Sequence, residues 1–223
     1  MVEQDEHAGS RRVRRLRLTP VEIDTPGGPA RAHLHLADEP RAALVLGHGA
    51  GGGVTAPDLV AVTAVGCEEG LAVVLVEQPY RVAGRRSPPP AHRLDEAWTA
   101  ALEALRSDEL RGLPLVVGGR SSGARVACRT AATTGAVGVL CLAFPLQPPR
   151  RAGGRAAESR LPELDAVSVP TLVVQGSRDP FGIPPSAGLR SVVQVSGDHS
   201  LRTDRAGVAA AVGAWLPGVV GQR

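Results

Sequence analysis

The order of apolar and polar residues along this chain changes at about residue 42. From there on, short apolar runs alternate with longer segments whose apolar residues recur at helical spacing. Alternation of this kind predicts an α/β fold, in which helices pack on both faces of a mostly parallel sheet. The predicted strands cover residues 42–46, 71–76, 113–117, 137–143, 171–175 and 191–195, and the predicted helices cover residues 57–69, 92–106 and 122–132.

Both tryptophans fall on apolar helical stripes. The two stripes consist of Leu94, Trp98, Ala101 and Leu105, and of Val208, Val212 and Trp215 near the C-terminus. This spacing predicts that both indoles pack between helix and sheet rather than serve as platforms for a ligand.

Ahead of residue 42, two shorter segments have the character of strands. They cover residues 16–23 and 30–36 and flank residues 26–29, a Pro-Gly-Gly-Pro turn signal, so we predict an antiparallel hairpin at the edge of the sheet. In the second segment, His33 and His35 lie on the same face. Because no third ligand follows at a suitable spacing, these histidines are predicted to face solvent and not to bind metal.

Length and composition agree with one compact domain. The chain has 223 residues, 43% of them hydrophobic, which is enough for a full core. We predict a disordered tail over residues 1–12 and a single domain over residues 13–223. No run approaches the ~20 apolar residues of a membrane span, and the polar start predicts no secretory signal. Cys67, Cys128 and Cys141 lie singly in apolar segments, which predicts buried free thiols and a cytoplasmic location.

The formal charge of +3 is a weak sign of nucleic-acid binding. The chain contains no lysine, and its densest group of cations is an arginine cluster near the N-terminus that could bind an acidic partner. Only 2% of the residues are aromatic, and none stands between these arginines to stack on a base. We therefore predict a solvated tail and edge strand, with no nucleic-acid or membrane partner. The cluster consists of Arg11, Arg12, Arg14, Arg15 and Arg17.

Residues 119–123 carry the first candidate chemistry. They read Gly-Arg-Ser-Ser-Gly and lie between a predicted strand and a predicted helix. A sharp turn in this setting forces its serine to a positive φ, and flanking glycines let strand and helix approach closely, so that the hydroxyl reaches solvent. With 27 glycines in the chain, the motif alone is weak, since roughly 0.2 chance matches are expected. In its context it predicts that Ser121 is the nucleophile of a hydrolase.

An acid and a base follow at the ends of later strands. Asp179 lies on the loop after the strand over residues 171–175, and His199 lies after the strand over residues 191–195. The order Ser121, Asp179, His199 is that of an α/β-hydrolase triad. Asp198 adjoins His199 but would point to the opposite side of the chain, so Asp179 is the preferred acid.

A glycine-rich loop over residues 47–53 follows the first strand of the alternating region. Such a loop can present backbone N–H groups to the oxygen that becomes negatively charged in acyl transfer. The elbow geometry predicts the Ser122 N–H as one donor and favours the Ala50 N–H as the other, and the alternative is a flexible loop in a glycine-rich chain. His48 is interpreted as a brace for this loop. Arg120 has two open readings, as a sensor of an acidic substrate or as part of a salt bridge beneath the elbow.

The connection after the strand over residues 137–143 is predicted to leave the site open. Residues 144–160 are few, rich in Pro and Arg, and lack the apolar periodicity of a lid helix. We expect Pro145, Leu146 and Phe181 to line a small apolar wall. The arginines of this connection could favour an anionic substrate, although a solvated loop explains them equally simply; they are Arg150, Arg151 and Arg155.

Five segments together resemble a known family. They are residues 47–51 (Gly-His-Gly-Ala-Gly), 118–127 around the elbow, 144–149 (Phe-Pro-Leu-Gln-Pro-Pro), 175–182 with Arg-Asp-Pro-Phe-Gly, and 197–200 (Gly-Asp-His-Ser). From about residue 42 to the C-terminus, the chain resembles compact α/β-hydrolases related to dienelactone hydrolase. The closest branch includes a subunit of a histone-acetyltransferase complex and a testis-expressed protein.

This resemblance implies a lidless α/β-hydrolase fold in which Ser121 is the nucleophile, Asp179 the orienting acid and His199 the base. It implies no metal and no organic cofactor. Ser122 departs from the family pattern, because a methionine or another bulky residue is expected there. The expected function is hydrolysis of a small ester, thioester or lactone, with a small acyl compound as the partner. The alternative is a catalytically silent interaction module on the same fold.

Overall fold

The computed structural model describes residues 15–16, 20–148 and 158–221. These residues form one sheet of nine strands with helices on both sides, as predicted. The strands are β1 (Arg15–Leu16), β2 (Val21–Ile23), β3 (Ala30–Leu36), β4 (Ala43–Gly47), β5 (Ala72–Glu77), β6 (Leu115–Arg120), β7 (Gly138–Leu142), β8 (Thr171–Gly176) and β9 (Arg190–Val195). The helices are α1 (Pro57–Glu68), α2 (Pro79–Val82), α3 (Ala91–Ser107), α4 (Ser122–Thr130), α5 (Leu161–Asp165) and α6 (Arg205–Val220).

The strand order places β6, β8 and β9, the strands that precede Ser121, Asp179 and His199, in one half of the sheet, with β7 between β6 and β8. Along the sheet the order is β1-β3-β5-β4-β6-β7-β8-β9, and β2 also pairs with β3. All pairs from β5 to β9 are parallel, whereas β3 runs antiparallel to β5. The predicted hairpin is confirmed, because Ile23 pairs with Ala30 in antiparallel register. The tail over residues 1–12 and the side chains of the arginine cluster lie outside the described part.

Each buried strand supplies side chains to two cores, one on each face of the sheet. On β4, Leu44 and Leu46 pack towards α1 and α6, whereas Val45 packs towards α3 and α4. Trp98 is buried in the second of these cores, and the half-buried Trp215 packs against the first. The predicted helix-to-sheet packing of both tryptophans is therefore confirmed.

The structure adds two short helices, gives the predicted strand over residues 16–23 as the separate strands β1 and β2, and extends β6. Helices α2 and α5 have four and five residues, too few for a helical repeat to show in the sequence. Strand β6 continues to Arg120, whereas its apolar run ends at Val117. It continues because a Cβ atom on Gly118 would meet the Leu140 carbonyl oxygen at 2.4 Å, so only glycine allows β7 to lie alongside at this point.

No lid covers the sheet within the described residues. Between β7 and β8 these residues contain only the short helix α5, and residues 149–157, with Arg150, Arg151 and Arg155, fall outside them. In the part of the chain that the structure describes, no helix has the length and apolar character needed to cross a bilayer.

A group of ion pairs ties α4 to α3 and α5. Arg125 Nε donates to Glu163 Oε2 at 2.8 Å, and Arg129 Nη1 donates to Glu163 Oε1 at 3.2 Å. Arg129 also holds Asp95 on α3 through two hydrogen bonds of 2.7 and 2.8 Å. Burial alone would raise the pKa of Glu163, but the bonds and charges of Arg125 and Arg129 outweigh it and lower that pKa below its usual 4.5. The group therefore anchors the helix that follows the elbow.

We expect Glu163→Gln to destabilise the protein by about 2 kcal/mol at pH 7, because charge-assisted hydrogen bonds to two arginines are lost. A carboxyl whose pKa is lower in the folded state stabilises it above the unfolded-state pKa and loses that effect as the pH falls through the folded-state pKa. Urea unfolding should therefore show a gap between wild type and variant that closes as the pH falls below about 4.5. Glu96→Gln, in an exposed pair with Arg93, should change the stability by no more than about 0.5 kcal/mol. A gap that persisted unchanged at pH 3 would contradict the assignment.

Candidate active site

Ser121 occupies the sharp turn between β6 and α4. Its φ is +52°, a left-handed conformation that non-glycine residues seldom adopt. Strand and helix pass so close to Gly47 that a Cβ atom on either Gly119 or Gly123 would lie 2.4 Å from the Gly47 carbonyl oxygen. The glycines on both sides of the serine are therefore required by space, and the turn has the geometry of a nucleophile elbow.

The structure brings Ser121, His199 and Asp179 into one line of hydrogen bonds. His199 Nε2 lies 2.9 Å from Ser121 Oγ, and His199 Nδ1 lies 2.8 Å from Asp179 Oδ2. A carboxylate can only accept, so Nδ1 carries the proton and Nε2 is free to accept the proton of the serine hydroxyl. Three residues that are far apart in the sequence thus lie in hydrogen-bond contact, in the order predicted for a nucleophile, a base and an orienting acid.

The carboxylate of Asp179 is held from several sides. Its side chain is fully buried. Oδ1 accepts the Phe181 N–H at 2.9 Å, and Oδ2 accepts Gln175 Nε2 at 2.8 Å in addition to the imidazole. Gln175 is also bonded to the carbonyl oxygens of Phe144 and Gly182. The orientation of this acid is therefore fixed by β8 and its loop.

Gln175 was not singled out from the sequence. It is the last residue of an apolar run, and its side chain is completely buried. The sequence does contain one signal for this role: a single amide side chain at the end of a buried strand, four residues before the acid. A buried amide needs hydrogen-bond partners, and the nearby acid could supply one.

Asp198 takes no part in this line. Its Oδ1 accepts the backbone N–H of Ser200 at 2.9 Å and the Ser200 hydroxyl at 2.6 Å. These bonds to Ser200 lower the pKa of the exposed Asp198 carboxyl. The residue shapes the turn after His199 and leaves the imidazole to Asp179.

The glycine-rich loop is braced from β5 and α2. His48 Nδ1 donates to the Gly49 carbonyl at 2.8 Å, and its Nε2 accepts the Gln78 N–H at 3.0 Å, which fixes one neutral tautomer. Burial lowers the pKa of His48 and so favours this neutral form. The Tyr80 hydroxyl donates to the Ala50 carbonyl at 2.8 Å, and burial raises the pKa of Tyr80 to about 12, which keeps the donor protonated. The interpretation of His48 as a brace agrees with these contacts.

The two predicted oxyanion donors belong to the first turn of α4 and to the glycine-rich loop. The Ser122 N–H is at the first turn of α4, where helical N–H groups have no partner within the helix. The Ala50 N–H belongs to the braced loop. Among the hydrogen bonds of the described residues, none is donated by either of these groups. Their role as donors to an incoming oxygen stays a prediction.

Arg120 is engaged by protein groups. Its Nε lies 3.2 Å from Asp58 Oδ2, and its Nη2 donates to the His199 carbonyl at 3.0 Å. Of the two readings left open by the sequence, these contacts favour the salt bridge beneath the elbow.

Of the three residues expected to form an apolar wall, one is seen in contact with the imidazole. The Phe181 ring packs on His199 with 4.4 Å between ring centroids. Leu146 is half-buried and would lie 3.7 Å from a Cβ atom on Gly182, whereas Pro145 is buried. Phe181 is thus the member of the predicted wall that contacts a catalytic candidate directly.

The structure gives the candidate histidines of β3 no metal-site geometry. His33 Nε2 lies 3.8 Å from Glu77 Oε2. The pKa of His35 is lowered, mainly by burial and to a smaller extent by the charge of His33. Over residues 15–16, 20–148 and 158–221, no three His, Cys, Asp or Glu side chains are grouped as metal ligands.

Comparison with known proteins gives one family and many similar folds. A family model described as "Alpha/beta hydrolase domain" matches residues 40–210. No curated protein matches the chain.

Among solved structures, an alpha-beta serine hydrolase homologue from Coxiella burnetii superposes with a TM-score of 0.73 at 15% identity, over 89% of this chain and 97% of that one. A serine hydrolase without a lid from Xanthomonas campestris gives 0.68 at 18% identity, over 89% and 95%. Dienelactone hydrolase from Anabaena variabilis gives 0.71 at 17% identity, over 92% and 98%. At these identities the likeness establishes the shared fold.

Proposed function

The chain belongs to the alpha/beta hydrolase domain family, and we propose that it is a serine hydrolase that cleaves a small ester, thioester or lactone through an acyl-enzyme intermediate. The observation that carries this proposal is the continuous line of hydrogen bonds from Asp179 through His199 to Ser121, with distances of 2.8 and 2.9 Å. A protein without catalytic activity would not require a serine at a strained turn, an imidazole and a buried carboxylate to be hydrogen-bonded in this order.

In the first half of the proposed reaction, the substrate is attacked. His199 Nε2 takes the hydroxyl proton of Ser121 as Oγ bonds to the carbonyl carbon, and the carbonyl π electrons move to its oxygen. The N–H groups of Ser122 and Ala50 donate to this oxyanion. Asp179 holds the Nδ1 proton of the imidazolium and stabilises its charge, without itself taking the proton.

Collapse of the tetrahedral intermediate restores the carbonyl and breaks the bond to the leaving group. The alcohol or thiol departs with the proton that His199 carries, and the acyl group stays on Ser121. Water then repeats the sequence: His199 takes one of its protons, hydroxide oxygen attacks the acyl carbon, and the acid leaves as Oγ recovers a proton. No group beyond the chain and water is required by these steps.

A small acyl group fits the described surroundings best. No lid covers the site within the described residues, where the Phe181 ring packs on His199 and the half-buried Leu146 lies near Gly182. Each methylene that finds no apolar surface forgoes about 0.8 kcal/mol of burial. An acyl chain should therefore gain affinity only over its first few carbons.

We expect kcat/KM for p-nitrophenyl esters to be highest from acetate to butyrate and to fall for longer chains, with no activation at a lipid interface. The measurement is a series from acetate to decanoate at fixed pH, each below its solubility limit. Phe181→Ala should lower kcat/KM for the butyrate more than for the acetate, because the longer chain has more surface to lose. A rate that kept rising to decanoate would reveal an acyl tunnel and overturn the open-site proposal.

Two finer assignments remain predictions. One is the branch with a histone-acetyltransferase-complex subunit and a testis-expressed protein, whose members include assembly proteins, so a catalytically silent module is the second candidate. The other is the cytoplasmic location, which is supported by the free thiols of Cys128 and Cys141, whose sulfurs lie 3.4 Å apart in hydrogen-bond contact without forming a disulfide. Turnover of any short ester by the purified protein, lost in the Ser121→Ala variant, separates the enzyme from the silent module.

A further inference from the structure

The guanidinium of Arg120 lies where three segments of the candidate active site meet. Its Nε faces Asp58 at the start of α1, and its Nη2 donates to the backbone carbonyl of His199. Its Nη1 lies against the glycine-rich loop, 2.8 Å from where a Cβ atom on Gly49 would be. One planar group thus contacts the segment that carries the base, the loop that carries a predicted oxyanion donor, and the helix that follows this loop.

Asp58 is an unusual partner for a residue beside an active site. Its side chain is fully buried, and its contact with Arg120 is an ion pair without the alignment of a good hydrogen bond. Burial raises the pKa of Asp58, and the charge of Arg120 is the largest effect that opposes the rise. A buried carboxylate is kept ionised only by such compensation, so the two charges depend on each other.

We propose that Arg120 is a positioning residue that holds the backbone of His199 in place for proton transfer, and that Asp58 neutralises the guanidinium so that it does not oppose the imidazolium. This inference rests on the proposed function. It gives a role to two residues that touch neither the substrate nor the reacting atoms and act only through His199.

The need for position follows from the geometry of the base. The imidazole is anchored at Nδ1 by Asp179, but its Cα lies on a loop, and the Arg120 bond to the His199 carbonyl ties that loop to the end of β6, next to the nucleophile. Displacement of a catalytic group by about 1 Å can cost on the order of 10²-fold in rate. Loss of the tie should therefore appear in kcat, with little change in KM.

The need for neutralisation follows from charge. Among the described residues, the charged and titratable groups around the imidazole include Asp179 and Arg178 from the β8 loop, Arg120 from β6, Asp58 from α1, and Asp198 on its own loop. Removing the charge of Asp58 leaves an uncompensated guanidinium beside His199. That cation disfavours the protonated imidazole, so the acidic limb of kcat/KM against pH should move to lower pH.

The experiment compares wild type with Arg120→Met, Arg120→Lys and Asp58→Asn in hydrolysis of p-nitrophenyl acetate from pH 5 to 9, after urea unfolding has verified the folded fraction. We expect Arg120→Met to lower kcat by about 10²-fold at nearly constant KM. Arg120→Lys keeps the positive charge but loses the planar guanidinium, which can donate to several partners at once. The acidic limb of its pH profile should therefore match that of wild type, while its kcat should be about tenfold below the wild-type value. Asp58→Asn should shift the acidic limb of the kcat/KM profile to lower pH.

Arg190→Met is the matched control, since Arg190 also joins an aspartate, Asp165, to a carbonyl, that of Pro185, but at the opposite end of β9. It should lower stability and leave kcat per folded molecule within about twofold. If folded Arg120 variants keep a wild-type kcat, or the limb of Asp58→Asn does not move, the corresponding half of the inference is overturned. If Arg120→Met does not fold, Arg120→Lys decides the positioning half. A wild-type protein without turnover would instead refute the proposed function.

Discussion

Ser121→Ala is expected to abolish ester turnover, with a loss on the order of 10⁶-fold in kcat where the starting activity allows it to be measured. The loss is large because nucleophile and base act as a unit, and removal of Oγ leaves His199 without a hydroxyl to deprotonate and the substrate without its attacking oxygen. The fold should be retained, since alanine removes one hydroxyl from a half-buried position. Hydrolysis of p-nitrophenyl acetate under saturating conditions and a thermal unfolding scan measure the two quantities.

Ser107→Ala, at the exposed end of α3, is the matched serine control and should behave as wild type in both measurements. Residual activity of Ser121→Ala above one part in a hundred of wild type would mean that the attacking oxygen comes from elsewhere. The neighbouring Ser122 hydroxyl would then be the first candidate, and the elbow would have to be reassigned by one residue.

Asp179→Asn is expected to lower kcat by about 10⁴-fold, as a comparable change does in a related triad. The amide cannot fix the imidazole tautomer as the carboxylate does, because its NH₂ group donates where the carboxylate accepts. Asp198→Asn is the matched control, one residue from the base. Its Oδ1 can still accept from Ser200, so activity should fall by less than about tenfold.

Equal losses in the two aspartate variants would contradict the assignment of the acid. The comparison is informative because Asp179 and Asp198 both lie in loops that follow strands at the same edge of the sheet. The two residues differ in the groups that their carboxylates contact. A pH profile of each variant should accompany the rates, so that a shifted optimum is not mistaken for a lost group.

The line formed by Ser121, Asp179 and His199 could be anticipated because each residue lies within four residues of the C-terminal end of a strand of a parallel sheet. The carboxyl ends of such strands meet at one edge, so residues distant in sequence come together there. The nucleophile elbow could also be predicted from the sequence, because glycines flank the serine at positions 119 and 123. In the structure a Cβ atom on Gly119 or Gly123 would collide with the backbone at Gly47.

The supporting contacts could not be read from the sequence for physical reasons. In the sequence, Gln175 is simply the last residue of an apolar strand. The hydrogen bond from its amide to Asp179 is seen only once β8 and the loop that follows it are placed in the structure. Asp58 resembles an ordinary acidic residue in the first turn of a helix, where solvent exposure is the usual outcome. Its burial against Arg120 depends on how α1 packs near the elbow, which no local pattern encodes. Helix α5 is too short to produce a periodicity.

The central claim, that this fold carries a live serine nucleophile, is tested most directly by labelling the native protein with a fluorophosphonate and locating the adduct by fragment-ion mass spectrometry. The probe reacts with an activated serine whatever the natural substrate is. The account predicts a single adduct on Ser121, absent after heat denaturation and absent from the Ser121→Ala variant. A folded wild-type protein that gains no adduct, under conditions that label a reference serine hydrolase to completion, would contradict it.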